Sequence, residues 1–566
     1  MQWTILRNLA IGVAAFAICG IAGAQVIADP WEGMRIDAVR IVLANSPDAP
    51  SEAAAFEERA RGVLDLYPGT SFRNLFLDWG LGKLRSQPWV EDARADLAPG
   101  NVDGIIVTVA VTLADKANAN ARAAPLPFPL LYQSADSLIK FKLMTAGLGY
   151  ANQNAWYGQP AAFVGANPLA SKPSGAGWAS WVEGAAELGI QGIGPIAPSV
   201  YVYGSLSYML SGSAGQEVFT NEPRSYGGIE DAYVGIVFGN TWQDGSRLVC
   251  NLSAGRQPFQ IADGMLIRIT AGNGFDRAAL QLNPRWAADN LFLADARYNT
   301  LRVQAFRLDP DELPQIDSRT IIDGLNVYGG LGSALPWGLT YLHVPQSSYG
   351  YYTPTAVGTR AGLNVFDARL SWLPTLPGGT GPYGKAELGY QTNDANSFPM
   401  RAWGGYAEAG YTLGDLPWRP TLSYRLSYFT GDNPATTTYE RWDPLLSGGT
   451  PEEWVQGINH YKIFQDSNVI AQRFQAKLQP SPTIEVVPQV WLFGADQTNN
   501  LGGTLSQLAG TKLGWEVNVT GKYYPTRNLY FQGGLAATFP LSGVRGAVDG
   551  NLNRWVSAVL LARVSY

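Results

Sequence analysis

The sequence predicts an all-β transmembrane barrel of about 16–18 antiparallel strands, preceded by a small α/β domain of order β-α-α-β-β. Three observations lead to this fold class. Apolar and polar residues alternate with a period of two from residue 130 to the C-terminus. Only 15% of the residues are charged, whereas 64 are Gly, 18 are Trp and 27 are Tyr. Beyond residue 24, no uninterrupted apolar run approaches the roughly 20 residues of a membrane-spanning helix.

Residues 1–24 carry the pattern of a secretory signal peptide. Arg7 provides the positive charge of the N-terminal region, residues 9–21 form the apolar region, and residues 22–24 (Ala-Gly-Ala) match a signal-peptidase cleavage site. Cleavage at that point leaves Cys250 as the one cysteine. We therefore expect an exported protein without disulfides, in which Cys250 is a small packing residue.

Residues 25–114 predict the small α/β domain. Its strand, two helices and two further strands are expected, in that order, at residues 36–43, 51–66, 71–85, 90–97 and 105–113. Ser51 is the expected N-cap of the first helix, because its side chain can accept a hydrogen bond from the first turn. Residues 115–129, which are rich in Ala and Asn and then in Pro, predict an exposed linker.

This order of elements, together with the segment LYPGTSF at residues 66–72 between the helices, resembles a POTRA domain. The resemblance implies a periplasmic module attached to an outer-membrane barrel. It also implies an exposed strand edge, at which a strand of a periplasmic protein partner could pair. A generic small α/β domain is the alternative interpretation.

Residues 130–566 predict the barrel itself. In residues 422–428, for example, Leu and Tyr alternate with Ser and Arg. The alternation continues well beyond the roughly 250–300 residues of one soluble core, which argues against a soluble β-sandwich. At roughly 24 residues per strand and connection, this length gives about 16–18 spanning strands around a lumen wide enough for water. The last strand alternates up to Tyr566 and resembles the segment read by the bacterial barrel-assembly machinery, so we expect that machinery and outer-membrane lipid as partners.

Three segments resemble the alginate-export family of outer-membrane barrels. They are LSAGRQPF at residues 252–259 with Asp263 and Gly264 shortly after, GGYAEAGYTL at residues 404–413, and SYFTGDNPATTTYERWDPL at residues 427–445. The resemblance implies a channel for a polar, anionic oligo- or polysaccharide. It also implies that Arg256 lines the constriction and that the acidic loop after it folds inward. The alternative for Arg256 is an anchor at the membrane interface.

Polar residues on the alternating faces are expected to line the lumen. The predicted solute path consists of Lys140, Lys142, Arg256, Arg302, Arg369, Lys385, Glu387, Glu408, Arg425, Arg473, Lys477 and Lys522. Further acidic positions of the same faces are Glu183, Glu187, Asp367 and Glu516. Basic residues outnumber acidic ones in this set, and a positive wall attracts anions, so we hypothesise anionic or polyhydroxylated solutes. In the alternative, these charges pair across strands and keep the lumen hydrated.

Other classes of function are disfavoured. A net charge of −6 argues against binding to nucleic acid. With two His and two Cys, the chain has no pattern for a metal centre, a cofactor site or a catalytic triad, and His343 and His460 both lie in loop-like contexts. The leading hypothesis is an outer-membrane channel for polar, anionic saccharides, with the N-terminal domain docking in the periplasm. The alternatives are a component of polypeptide translocation or outer-membrane assembly, and an adhesin without an open pore.

Overall fold

The fold is known from a computed structural model. It describes residues 30–114, 128–156, 177–215, 222–375, 377–501, 503, 508–545 and 553–566. The expected signal peptide, residues 1–24, and most of the expected linker, residues 115–129, lie outside these residues.

The N-terminal domain has the predicted order of elements. They are β1 (Arg35–Leu43), α1 (Pro50–Leu64), α2 (Asn74–Arg85), β2 (Val90–Pro99) and β3 (Gly104–Leu113). The sheet order is β1-β3-β2, and β3 runs parallel to β1 and antiparallel to β2. Among the described residues, no helix is both long and apolar enough to cross a membrane.

Two details of the predicted helices are wrong. Ser51 is not the N-cap of α1, because Ala49 holds that position and Pro50, with its fixed φ, begins the helix. The second helix begins at Asn74 rather than at residue 71. The preceding residues instead bond to the start of β1, since the N–H of Phe72 donates to the carbonyl oxygen of Met34 at 2.7 Å.

The rest of the chain builds a closed antiparallel barrel. Its strands and those of its loops are β4 (Leu130–Gln133), β5 (Leu138–Gln153), β6 (Trp178–Ala197), β7 (Val200–Gly215), β8 (Arg224–Thr241), β9 (Arg247–Arg256), β10 (Asn290–Tyr298), β11 (Leu301–Asp309), β12 (Ile321–Gly329), β13 (Trp337–Gln346), β14 (Gly350–Tyr352), β15 (Val357–Thr359), β16 (Asn364–Trp372), β17 (Gly381–Asn393), β18 (Met400–Thr412), β19 (Thr421–Phe429), β20 (Val469–Ser481), β21 (Ile484–Gly494), β22 (Lys512–Thr526), β23 (Leu529–Pro540) and β24 (Trp555–Ser565). In the described part of the chain, 18 strands form the ring, which β24 closes by pairing with β5. The short β4 lies beside β5, and β14 and β15 form a separate hairpin.

The ring has an apolar exterior and a charged interior. On β19, Leu422 and Leu426 are 49% and 43% exposed, whereas Arg425 has no exposed surface. Leu188 on β6 and Leu560 on β24 are exposed in the same way. An exposed apolar belt of this extent is stable against lipid and not against water, so the architecture is that of a transmembrane β-barrel.

The two ends of the barrel differ in the length of their connections. Turns of two residues join β6 to β7, β10 to β11, β20 to β21 and β22 to β23 at one end. We call this end the short-turn end. At the opposite end, residues 257–289 connect β9 to β10 and residues 430–468 connect β19 to β20. We call these two segments inward loop A and inward loop B, because both enter the lumen.

Candidate solute path

Inward loop A is held inside the barrel by carboxylates of the wall. Glu183 of β6 accepts hydrogen bonds from the backbone N–H groups of residues 281 and 282 at 2.9 and 2.6 Å. Glu230 of β8 accepts them from residues 286 and 287 at 2.6 and 2.9 Å. Both carboxylates are buried. The wall therefore supplies the acceptors that the irregular backbone of the loop needs in the lumen.

Inward loop B is held in the lumen by basic and acidic side chains of the wall. Arg425 donates to the carbonyl oxygens of residues 453 and 455 at 2.7 and 2.9 Å. Arg473 donates to those of residues 451 and 452 at 2.8 and 2.9 Å. Glu516 accepts hydrogen bonds from the N–H groups of residues 458–460. Two predicted solute-path arginines thus bind the protein's own backbone.

The N-terminal domain enters the short-turn end. Asp78 of α2 lies 2.5 Å from the Nζ of Lys140 on β5 and 2.7 Å from an Nη of Arg527 in the turn after β22. Its pKa is lowered, because the two cations outweigh the effect of burial, which by itself raises it. The ring of Trp31 lies 4.5 Å from that of Tyr524. The domain is thus anchored to the wall by charge and by aromatic contact.

Lys385 on β17 joins the wall to both inserted elements. Its Nζ lies 2.7 Å from Asp103 of the N-terminal domain and 3.2 Å from Asp263 of inward loop A. Tyr406 donates a hydrogen bond of 2.6 Å to the same Asp263 oxygen. Burial by itself raises the pKa of both aspartates. Lys385, together with Lys477 near Asp103 and the Tyr406 hydroxyl on Asp263, outweighs burial, so the pKa of each aspartate is lowered. Both carboxylates are therefore held ionised around one cation.

A cavity of about 280 Å³ lies between the domain, inward loop A and the wall, and we call it the central chamber. Arg302, Arg369 and Tyr328 line it from the wall, Arg73 from the domain and Trp286 from the loop. Smaller cavities of about 140 and 80 Å³ lie among the long loops and beside β20–β23. Aromatic faces beside guanidinium groups suit polyhydroxylated or carboxylated solutes.

The predicted solute-path residues lie on the interior side of the barrel, and each of them makes an ion pair. The pairs are Lys140–Asp78, Lys142–Asp231, Arg256–Asp311, Arg302–Asp295, Arg369–Asp367, Arg369–Glu387, Lys385–Asp103, Arg473–Glu408, Arg425–Glu408, Lys477–Glu485 and Lys522–Glu485. Arg256 also lies 2.5 Å from Asp289, so it joins the end of inward loop A to the connection after β11. The excess of basic residues predicted on the strands is thus offset by acids of the domain, of the loops and of further strand positions such as Asp231, Asp295 and Glu485.

Sequence reasoning missed most of these acidic partners. Glu230 and Asp231 lie within β8 and Glu485 within β21, so the period-two pattern could have led to them. Asp78 and Asp103 belong to another domain, and no local pattern marks them as partners of the barrel wall.

No protein-family model matches the chain, and the search of the curated proteins finds no match. Solved structures of similar fold include OccK5 (OpdH) of Pseudomonas aeruginosa, with a TM-score of 0.46 at 12% identity over 76% of this chain and 98% of that chain. A BenF-like porin of Pseudomonas fluorescens Pf-5 has a TM-score of 0.45 at 11% identity, over 76% of this chain and 98% of its own. OccK2 (OpdF) of P. aeruginosa, solved in complex with glucuronate, has a TM-score of 0.42 at 11% identity, over 75% and 98%.

Proposed function

We propose that the protein is an outer-membrane channel that passes small polar solutes. The observation that carries the proposal is the closed ring with an apolar exterior and a charged, cavity-containing interior. An 18-stranded ring encloses a lumen wide enough for water. The inserted loops and the N-terminal domain narrow this lumen to cavities such as the central chamber of about 280 Å³.

Saccharides are the solute class that the central chamber favours. Its volume of about 280 Å³ suits one or two sugar rings better than a polypeptide chain. Tyr328 and Trp286 bring aromatic surface to the chamber. Arg302 and Arg369 bring guanidinium groups, which are held in place by their pairs with Asp295 and Asp367. Anionic saccharides remain the subclass we favour. Export of a polysaccharide, as the alginate-export resemblance implies, requires the inserted elements to move aside.

We further propose that the POTRA-like domain lies in the periplasm and docks a partner there. Its position at the short-turn end supports this, because transmembrane barrels have short periplasmic turns and longer outer loops. The edge strand β2 exposes Glu91, Arg94 and Asp96, so an added strand would meet a polar edge.

Recordings in planar bilayers test the channel and its selectivity. We expect discrete current steps from the full chain and a reversal potential on the anion-selective side in a salt gradient. Current steps with a potential at zero or on the cation-selective side would reject the preference for anions. Correctly inserted protein that carries no current would refute the channel, provided that the variant Asp65→Asn/Asp78→Asn/Asp103→Asn, in which the domain loses its charged contacts to the barrel, carries none either.

A further inference from the structure

The N-terminal domain contacts the barrel around the whole circumference of the short-turn end. Its contacts lie on β5, β7, β8, β9, β17, β20 and β22 and on the turns after β12 and β22. These strands are distributed around the ring and not clustered on one side. The domain therefore extends across the mouth of the barrel.

Three carboxylates of the domain form four ion pairs with the barrel. The pairs are Asp65–Arg247, Asp78–Lys140, Asp78–Arg527 and Asp103–Lys385, and in each of them the acid belongs to the domain and the base to the barrel. The other contacts are hydrogen bonds, aromatic pairs such as Trp79 on Tyr201 with a centroid distance of 4.8 Å, and two small apolar clusters. A polar and aromatic interface of this kind is typical of domains that can separate.

Within the lumen, the domain meets inward loop A. The side-chain amide of Gln260 in this loop donates to the carbonyl oxygen of Gly33 at 3.3 Å. Lys385 bridges Asp103 of the domain and Asp263 of the loop. The central chamber is thus enclosed on the short-turn side by the domain and on the other side by the loop.

From this geometry we infer that the N-terminal domain is a plug, which closes the short-turn mouth and opens the channel when its three carboxylates leave their basic partners. The inference rests on the proposed channel function. In the plugged state, Lys140 and Lys385 are buried against aspartates of the domain. When the plug moves out, water solvates both the aspartates and the lysines, which offsets much of the attraction that is lost. Removing only the carboxylates would instead leave Lys140 and Lys385 buried without these partners, which destabilises the plugged state.

Neutralising the three carboxylates without changing their shape tests the plug. The released variant is Asp65→Asn/Asp78→Asn/Asp103→Asn in the full chain. The control is Asp48→Asn/Glu91→Gln/Asp96→Asn, which removes the same charge from exposed positions of the same domain. Because an unplugged 18-stranded lumen is filled with water, we expect the mean current per inserted released variant to exceed that of the wild type by at least about threefold. The control should match the wild type.

A disulfide across the interface tests the same movement within one molecule. A Cβ on Gly332 would lie 3.6 Å from the Cβ of Pro68, within the roughly 3.5–4.5 Å that disulfides span. The variant is Pro68→Cys/Gly332→Cys, added to the released variant together with Cys250→Ser. Gly332 has a φ of +76°, which strains a cysteine, so the reduced form of the same protein is the reference. Oxidation should lower the current to the wild-type level, and a reductant should restore it.

The outcomes separate the plug from the channel. A higher current in the released variant that oxidation abolishes supports the plug. Equal currents from the wild type, the released variant and both redox forms overturn the plug but leave the channel intact. No current from any of these proteins, when heat-modifiable gel mobility shows folded barrels, overturns both.

Discussion

Glu516 on β22 ties inward loop B to the wall through a single carboxylate. It has no exposed surface and accepts hydrogen bonds from the N–H groups of residues 458, 459 and 460 at 2.7, 3.1 and 3.0 Å. A hydrogen bond to an ionised group contributes roughly 1.5–3 kcal/mol, and a buried N–H that loses its acceptor costs about 1–3 kcal/mol. Glu516→Leu removes the acceptor of all three N–H groups. We expect it to weaken the attachment of the loop by about 3–6 kcal/mol, which is less than a strict sum because the three bonds are not independent.

Limited proteolysis of the full chain in lipid vesicles measures this attachment. When inward loop B detaches and reattaches faster than it is cut, the cleavage rate follows the population of the detached loop. Weakening the attachment by about 3 kcal/mol therefore corresponds to about a hundredfold faster cleavage within residues 430–468. Glu516→Gln is the graded control, because its amide keeps one acceptor oxygen, and it should lie between the wild type and Glu516→Leu. Cleavage of Glu516→Leu at the wild-type rate would refute the role of wall carboxylates in holding the loop.

Three further changes test other parts of the barrel. Leu426→Arg, at the middle of the exposed face of β19, should cost about 2–4 kcal/mol in refolding into bilayers, and Leu422→Arg, near the strand end, about 0–1 kcal/mol. Equal costs would contradict the lipid-facing belt. Asp443 of inward loop B accepts two hydrogen bonds of 2.7 Å from Arg360, which follows β15, so Asp443→Asn should destabilise the contact between these segments by about 3–5 kcal/mol, and an unchanged melting temperature would argue against it. Burial lowers the pKa of Lys462 in inward loop B from 10.5 to about 7. Between these values the unfolded chain binds a proton that the folded loop does not, so stability should rise with pH. The melting temperature of the wild type should therefore rise relative to that of Lys462→Met from pH 7 to pH 9, and a constant difference between the two would disprove the shift.

The period-two pattern predicts the strands because the direction of side chains is a local property of an extended chain. The structure confirms this with 18 strands, at the upper end of the predicted range. His343 marks a limit of the method. Its sequence context was interpreted as loop-like, but His343 lies on β13, where its Nδ1 is 3.0 Å from Asn364.

The inserted elements could not be predicted in the same way. Asp103 and Lys385 are 282 positions apart in the sequence, and an acid in a turn is ordinarily solvated. Only the closed ring brings the two residues together. The alternation of apolar and polar residues predicts that Arg425 and Arg473 point into the barrel. It does not predict that they bind carbonyl oxygens of inward loop B, because this loop has no periodic pattern.

The lumen charges fall into two groups, which respond differently when the plug moves. Wall pairs such as Arg302–Asp295 remain paired wherever the N-terminal domain lies. Lys140 loses Asp78 when the domain leaves, and Lys385 keeps only Asp263, so positive charge is uncovered at the short-turn mouth. Fixed positive charge beside a low-dielectric wall concentrates anions. The preference for anions should therefore appear at the high-conductance level of a wild-type recording and not at the low level. Equal reversal potentials at the two levels would mean that the wall pairs alone set the selectivity.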